Sequence, residues 1–201
     1  MQYKARPGEG TVINVDVKSQ PGPNGSMTVT MGIDINQAPV PDRRYVADCV
    51  ALQLRTFGAD LLFGQEKVGS VDLRSLIVVK MNPDAIRQFL HVIQAMPGVK
   101  VHELAAMAGA PDEILATVER EPDQTVAFAA NLVGASFTTQ EACLDFYQAS
   151  AATMAAVHIT HKLAVDPVVR VELRLPLMNA LLKELSRVYG AGSAPQLRGL
   201  S

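Results

Sequence analysis

The sequence of 201 residues lacks tryptophan, contains only two cysteines, and has aromatic residues at only 5% of its positions. With so few rings available, the core must be built from Val, Leu, Ile, Met and Ala. Cys49 and Cys143 belong to no CxxC pair and are too few for a disulfide framework. We therefore expect both thiols to be reduced and packed inside a globular protein.

Long hydrophobic runs and clusters of one charge are also absent. No run approaches the roughly 18 apolar residues that a membrane-spanning helix needs, and residues 1–8 lack the apolar segment of a secretion signal. Eighteen basic and twenty acidic residues give a net charge of -2, with no basic stretch to attract phosphate or anionic lipid. These absences predict a cytoplasmic protein with no membrane partner, and they disfavour nucleic acid as a partner.

No group of side chains has the spacing of a known catalytic or metal-binding site. His158 and His161 would point to opposite faces of a strand, and no further ligand lies near them in sequence, so we assign them to a strand or loop. His91 and His102 are isolated. Phosphate-binding glycine loops and serine-nucleophile motifs are missing. We predict no catalytic, cofactor-binding or metal-binding residues, and no cofactor.

The N-terminal part has the pattern of a β-hairpin. Residues 11–17 and 27–33 alternate apolar and polar side chains, and the turn-forming cluster PGPNG at 21–25 lies between them. Pro39 and Pro41 cannot donate to a strand ladder and therefore break the pattern. We expect residues 1–41 to form an N-terminal hairpin extension.

One amphipathic helix is clearly indicated at residues 83–96. Asn82 is a suitable N-cap and Pro83 suits the first turn, whereas the Pro-Gly pair at 97–98 ends the helix. The apolar residues that follow the cap recur with helical spacing. They are Ile86, Phe89, Leu90 and Ile93.

The chain contains a weak internal repeat. Residues 45–65 match 128–148 at a shift of 83 (128 − 45), with seven of twenty-one positions identical, where chance would give roughly one in fifteen. Past the Ala-rich stretch 149–156, which we interpret as a loop that absorbs nine extra residues, the shift becomes 92 (178 − 86). At this shift the apolar residues of the helix at 86–93 align with a second set of apolar residues that has the same spacing. Its members are Met178, Leu181, Leu182 and Leu185.

The predicted fold is α+β, a mainly antiparallel sheet with two equivalent amphipathic helices and an internal pseudo-two-fold duplication. Repeat A covers 42–99 with the helix at 83–96, and repeat B covers 124–189 with a helix at 176–189. A helical connector is expected at 100–123 and a flexible tail at 190–201. Each helix must bury its stripe against a sheet.

The repeated unit resembles a family of short uncharacterised bacterial domains. The resemblance rests on ADLLFGQ at 59–65 followed by VVKMNPDA at 78–85. The second copy keeps CLDFYQ at 143–148 but has Leu175-Pro176 at the helix start. The resemblance covers about half the chain and implies no activity. Sheet plus long helix is also similar to the export chaperone SecB, in architecture alone.

The cysteines and the aspartates Asp60 and Asp145 do not coincide when the two copies are aligned. Asp60 aligns with Cys143, Asp145 aligns with Leu62, and Cys49 aligns with Leu132. Neither a carboxylate nor a thiol is therefore repeated. We expect the two aspartates to face solvent and the two cysteines to pack in the core.

Our leading hypothesis is a non-enzymatic protein-interaction module of a bacterial cytoplasm, such as an adaptor, assembly factor or chaperone-like protein. Its partner would be another protein or a second copy, bound at strand edges or helix grooves. One alternative is a small-ligand-binding or enzymatic domain that uses the cleft between the repeats. Another is a DNA-binding regulator through a helical pair at 102–119, which Asp112, Glu113 and Glu119 disfavour because phosphates repel them.

Overall fold

The computed structural model describes residues 10–21, 26–70, 72–95, 122 and 124–190. These residues form an α+β fold with mainly antiparallel strand pairing, which confirms the predicted fold class at that level. The strands are β1 (Thr11–Pro21), β2 (Met27–Ile33), β3 (Arg44–Ala47), β4 (Cys49–Arg55), β5 (Gly58–Glu66), β6 (Leu73–Met81), β7 (Gln124–Ala129), β8 (Leu132–Phe137), β9 (Glu141–Ala149) and β10 (Lys162–Arg174). The helices are α1 (Pro83–Ala95), α2 (Ala151–Thr160), α3 (Leu175–Tyr189) and a 3-10 turn at Ile35–Gln37.

The strands are divided between two sheets. The four-stranded sheet has the order β4-β5-β6-β7. The six-stranded sheet has the order β2-β1-β10-β9-β8, with β3 also beside β10. All pairings are antiparallel except β6 with β7 and β10 with β3.

The chain changes sheet between β3 and β4, where only Asp48 separates the two strands. The Asp48 N–H donates to the Gly64 carbonyl at 2.8 Å. Its carboxylate accepts a hydrogen bond from the Glu66 N–H at 3.2 Å. Asp48 therefore satisfies backbone groups at a corner that no regular ladder covers.

A second change of sheet occurs between β7 and β8, at residues 130–131. The Asn131 N–H donates to the Tyr147 carbonyl at 3.0 Å, and the Asn131 side-chain oxygen accepts from the Ala149 N–H at 2.8 Å. The side-chain amide also donates to the Ala149 carbonyl at 2.7 Å. Both corners thus use an Asx side chain to complete backbone hydrogen bonding.

The main core contains buried residues from both sheets and from α1 and α3. The rings of Phe63 on β5 and Phe146 on β9 contact each other, with centroids 5.8 Å apart. Helix α1 lies where the sequence indicates, and the Asn82 side chain accepts a hydrogen bond from the Ala85 N–H at 2.8 Å. The stripe residues of α1 are at most 3% exposed, which is the burial expected of an amphipathic helix. They are Ile86, Phe89, Leu90 and Ile93.

A second core covers the opposite side of the six-stranded sheet. The register of β10 shifts between Pro167 and Val169. As a result, Leu163 and Val165 pack in the second core, whereas Val169 and later apolar residues pack in the main core. Residues of β1, β8, β9 and α2 complete the second core. One strand therefore serves two cores because the irregularity exchanges its faces.

The prediction of a loop at 149–156 is wrong, and so is that of a strand or loop for His158, whereas His161 lies in the connection between the helix and β10. The segment forms α2, where the Ser150 hydroxyl accepts a hydrogen bond from the Thr153 N–H at 3.2 Å. His158 lies in the last turn, and His161 ends the helix in the left-handed conformation at φ 53°. The physical reason is that alanine has the highest helix propensity and serine is a preferred N-cap.

Several predicted segments lie outside the described residues. They are residues 1–9, the connector at 100–123 except Pro122, its helical pair at 102–119, and the tail beyond Gly190. The N-terminal hairpin is described apart from 22–25, with β1 and β2 paired from Val15↔Ile33 to Pro21↔Met27. Within the described ranges, no helix is long and apolar enough to cross a membrane.

The turn between β4 and β5 gives a prediction about stability. Gly58 has φ 130°, its carbonyl accepts the Tyr189 hydroxyl at 2.8 Å, and a Cβ there would overlap the Met81 carbonyl oxygen. Gly58→Ala is expected to cost about 3 kcal/mol or more of unfolding free energy. Gly69→Ala is a matched control, since Gly69 has φ 75° but open surroundings, and it should cost about 1 kcal/mol. Urea unfolding measures both, and equal losses would contradict the assignment.

Candidate functional site

The two aspartates predicted to face solvent are instead paired and largely buried. Arg170 donates from Nε and Nη2 to the two carboxylate oxygens of Asp145, each at 2.6 Å. The side chains of Arg170 and Asp145 are only 18% and 14% exposed. The hydrogen bond to Asp145 raises the pKa of Arg170, which keeps the guanidinium charged. Asp60 is 5% exposed, and its carboxylate accepts from Arg55 at 2.9 and 2.7 Å.

Sequence reasoning missed these pairs because each of them depends on the register of two paired strands. Asp145 and Arg170 lie directly opposite each other on β9 and β10. The arginine of the Asp60 pair comes from the other side of a hairpin turn. A buried carboxylate that is paired with an arginine is structural rather than chemically available.

Both cysteines are half-buried rather than fully packed in the core. Desolvation raises the pKa of Cys49 and of Cys143, although Arg170 acts in the opposite direction on Cys143. Because the thiolate is the nucleophile, neither residue is activated. Among the described residues, no group of three or more His, Cys, Asp or Glu could hold a metal ion.

The seam between the two halves of the chain is packed where Phe63 meets Phe146. A surface depression of about 590 Å³ lies instead beside the β5–β6 turn, and Asp48, Glu66 and residues 67–70 line it. All of its lining comes from the first half of the chain. It therefore does not match the inter-repeat cleft that the ligand-binding alternative requires.

Strand β7, at one end of the four-stranded sheet, is largely exposed. Five of its six residues are exposed, and Val126 retains 48% of its accessible surface. Phe128 alone is partly buried and packs against the main core. Among the described strands β7 pairs only with β6, so its remaining backbone groups lie at the sheet edge.

The orientation of these backbone groups follows from one hydrogen bond. The Ala130 N–H donates to the Lys80 carbonyl on β6 at 3.1 Å. Successive residues of a strand point their N–H groups to alternate sides. The N–H groups of Val126 and Phe128 therefore face β6, whereas that of Ala127 faces away from it.

The sequence of β7, QTVAFA, contains no charge and no proline. Natural edge strands commonly carry charged residues or proline, because these discourage pairing with other chains. Other terminal strands of the fold differ: β4 ends in Arg55, and the first three residues of β8 are buried. Strand β2 is also uncharged, but it belongs to the N-terminal hairpin. The exposed, uncharged edge of β7 is thus a candidate interaction site.

A row of apolar residues crosses the outer face of the four-stranded sheet, which is the face away from the main core, and ends at β7. Ala51, Leu62, Val78 and Ala127 are directly opposite one another on the four successive strands. In the six-stranded sheet the corresponding row contains Gly134 and three charged residues, Asp145, Arg170 and Arg44. The row on the four-stranded sheet provides apolar surface continuous with β7.

Two cations lie at the C-terminal end of β7. Lys80 is directly opposite Ala129 in the parallel ladder. The Arg43 guanidinium lies 5.4 Å from the centroid of the Phe128 ring, within the range of a cation–π contact. The candidate site therefore combines an open edge, an apolar row and two positive charges.

No residue of this site was identified as functional from the sequence, which indicated strand edges only in general terms. The available signal was the run of six uncharged residues with Val and Phe that begins at Gln124. Comparison with known proteins adds no assignment: no family model, curated protein or solved structure matches the chain.

The cysteine environments predict slow thiol chemistry. Because burial raises the pKa of Cys49 and Cys143 above the usual value, less thiolate is present at pH 8 than in a free thiol. Reaction with Ellman's reagent should be several-fold slower than that of glutathione and should still increase above pH 9. Single Cys→Ser variants assign the two rates, and unfolding in guanidinium should remove the difference. Faster reaction than glutathione at pH 8 would contradict this reading.

Proposed function

We propose that this protein is a non-enzymatic interaction module that binds an extended segment of another polypeptide along β7. The observation that carries the proposal is the exposed, uncharged edge of that strand. An extended peptide can add to such an edge through backbone hydrogen bonds, and alternate side chains then contact the sheet faces. An adaptor, assembly factor or chaperone-like protein would use this mode of binding.

We further propose that the chain contains two copies of one strand–strand–strand–strand–helix unit, β3–α1 and β7–α3. The antiparallel pairings support this, because adding 83 to the residue numbers of the β4–β5 ladder reproduces the pairings of the β8–β9 ladder. Val50↔Phe63 corresponds to Val133↔Phe146, and the other five pairs of the β8–β9 ladder each have a counterpart in the β4–β5 ladder. Weak sequence similarity alone would not require matching registers.

The exchanged strands support the same proposal. Val79 pairs with Phe128 across β6 and β7, and Val171 pairs with Tyr45 across β10 and β3. These positions are related by the sequence shifts of 92 and 83. The first strand of each unit thus pairs in parallel with the last strand of the other unit. Such reciprocal exchange is typical of structures related by a two-fold axis.

The duplication provides an internal comparison for the binding edge. Arg43 and Arg44, at the start of β3, match Val126 and Ala127 of β7 at the shift of 83 (126 − 43). The fold therefore accepts arginine at these positions, and one copy carries charges where the other carries apolar residues. This difference favours β7 over β3 as the edge that receives a partner.

The buried ion pair tests the duplication, since Asp145 and Arg170 match Leu62 and Val78. Asp145→Leu or Arg170→Val alone should each cost about 3 kcal/mol, because a partly buried charge is left unpaired. The double variant, which copies the opposite pair of β5 and β6, should cost about 1 kcal/mol or less. Urea unfolding measures this cycle.

The exposed pair of Lys18 and Asp16, with side chains 69% and 65% exposed, provides the control for the cycle. Asp16→Asn should change stability by less than about 0.5 kcal/mol. If the double variant lost as much as the two single losses together, the two sites would not be interchangeable. The proposed duplication would then lose this support.

Ala127→Pro tests the binding edge directly. Proline removes an N–H that faces away from β6, so folding should be retained while an added strand loses a donor. Binding of a fluorescent eight-residue peptide of alternating Thr and Val should weaken about tenfold or more. Ala127→Arg, which imitates Arg44, should act similarly. His91→Arg, exposed on α1, should bind as the wild type does, and unchanged binding in both Ala127 variants would refute the proposal.

A further inference from the structure

We draw no further inference here: the strongest candidate, the exposed face of α2 around Ala155 and Ile159, is a stripe of small residues with a single isoleucine, and no described part of the chain shows what covers it.

Discussion

The exchange of strands between the two sheets is the constraint on which the remaining structure depends. Strands β3 and β4 follow each other in the chain at Asp48 but lie in different sheets, and so do β7 and β8, which follow each other at Asn131. Each sheet therefore contains strands whose neighbours in the chain belong to the other sheet. Both sheets then contribute to one main core, in which Phe63 and Phe146 contact each other. Neither half can complete its sheet alone. We therefore expect the described chain to unfold as one cooperative unit rather than as two small domains.

The same arrangement gives each sheet a similar outer face and a similar edge, but the residues on them differ. The outer face of the six-stranded sheet carries the Asp145–Arg170 pair and the second core, to which the N-terminal hairpin and α2 contribute. The corresponding face of the four-stranded sheet has the apolar row that ends at Ala127. If the proposed duplication holds, such a difference is expected, since each outer face can change without altering the shared core.

Local signals made part of this fold predictable from sequence. Helix α1 was predictable because a cap, a proline and an apolar stripe all agree over consecutive residues. Helix α2 is not predicted by apolar periodicity, because an alanine-rich segment has no apolar stripe, although alanine has the highest helix propensity. The pairing of Asp145 with Arg170 depends on the register of two strands. The candidate site depends on which strand is terminal, and this follows from the exchange rather than from the β7 sequence.

The comparison of β3 with β7 bears on why an open edge is retained. An exposed, uncharged edge is a liability, because it invites pairing with any unfolded chain. A single charged residue on the edge would usually discourage such pairing. Under the proposed duplication, Arg44 occupies the position on β3 that matches Ala127, and its side chain is 65% exposed. The matched position of the fold then accepts a charge, so the uncharged edge of β7 agrees with the partner binding that we propose.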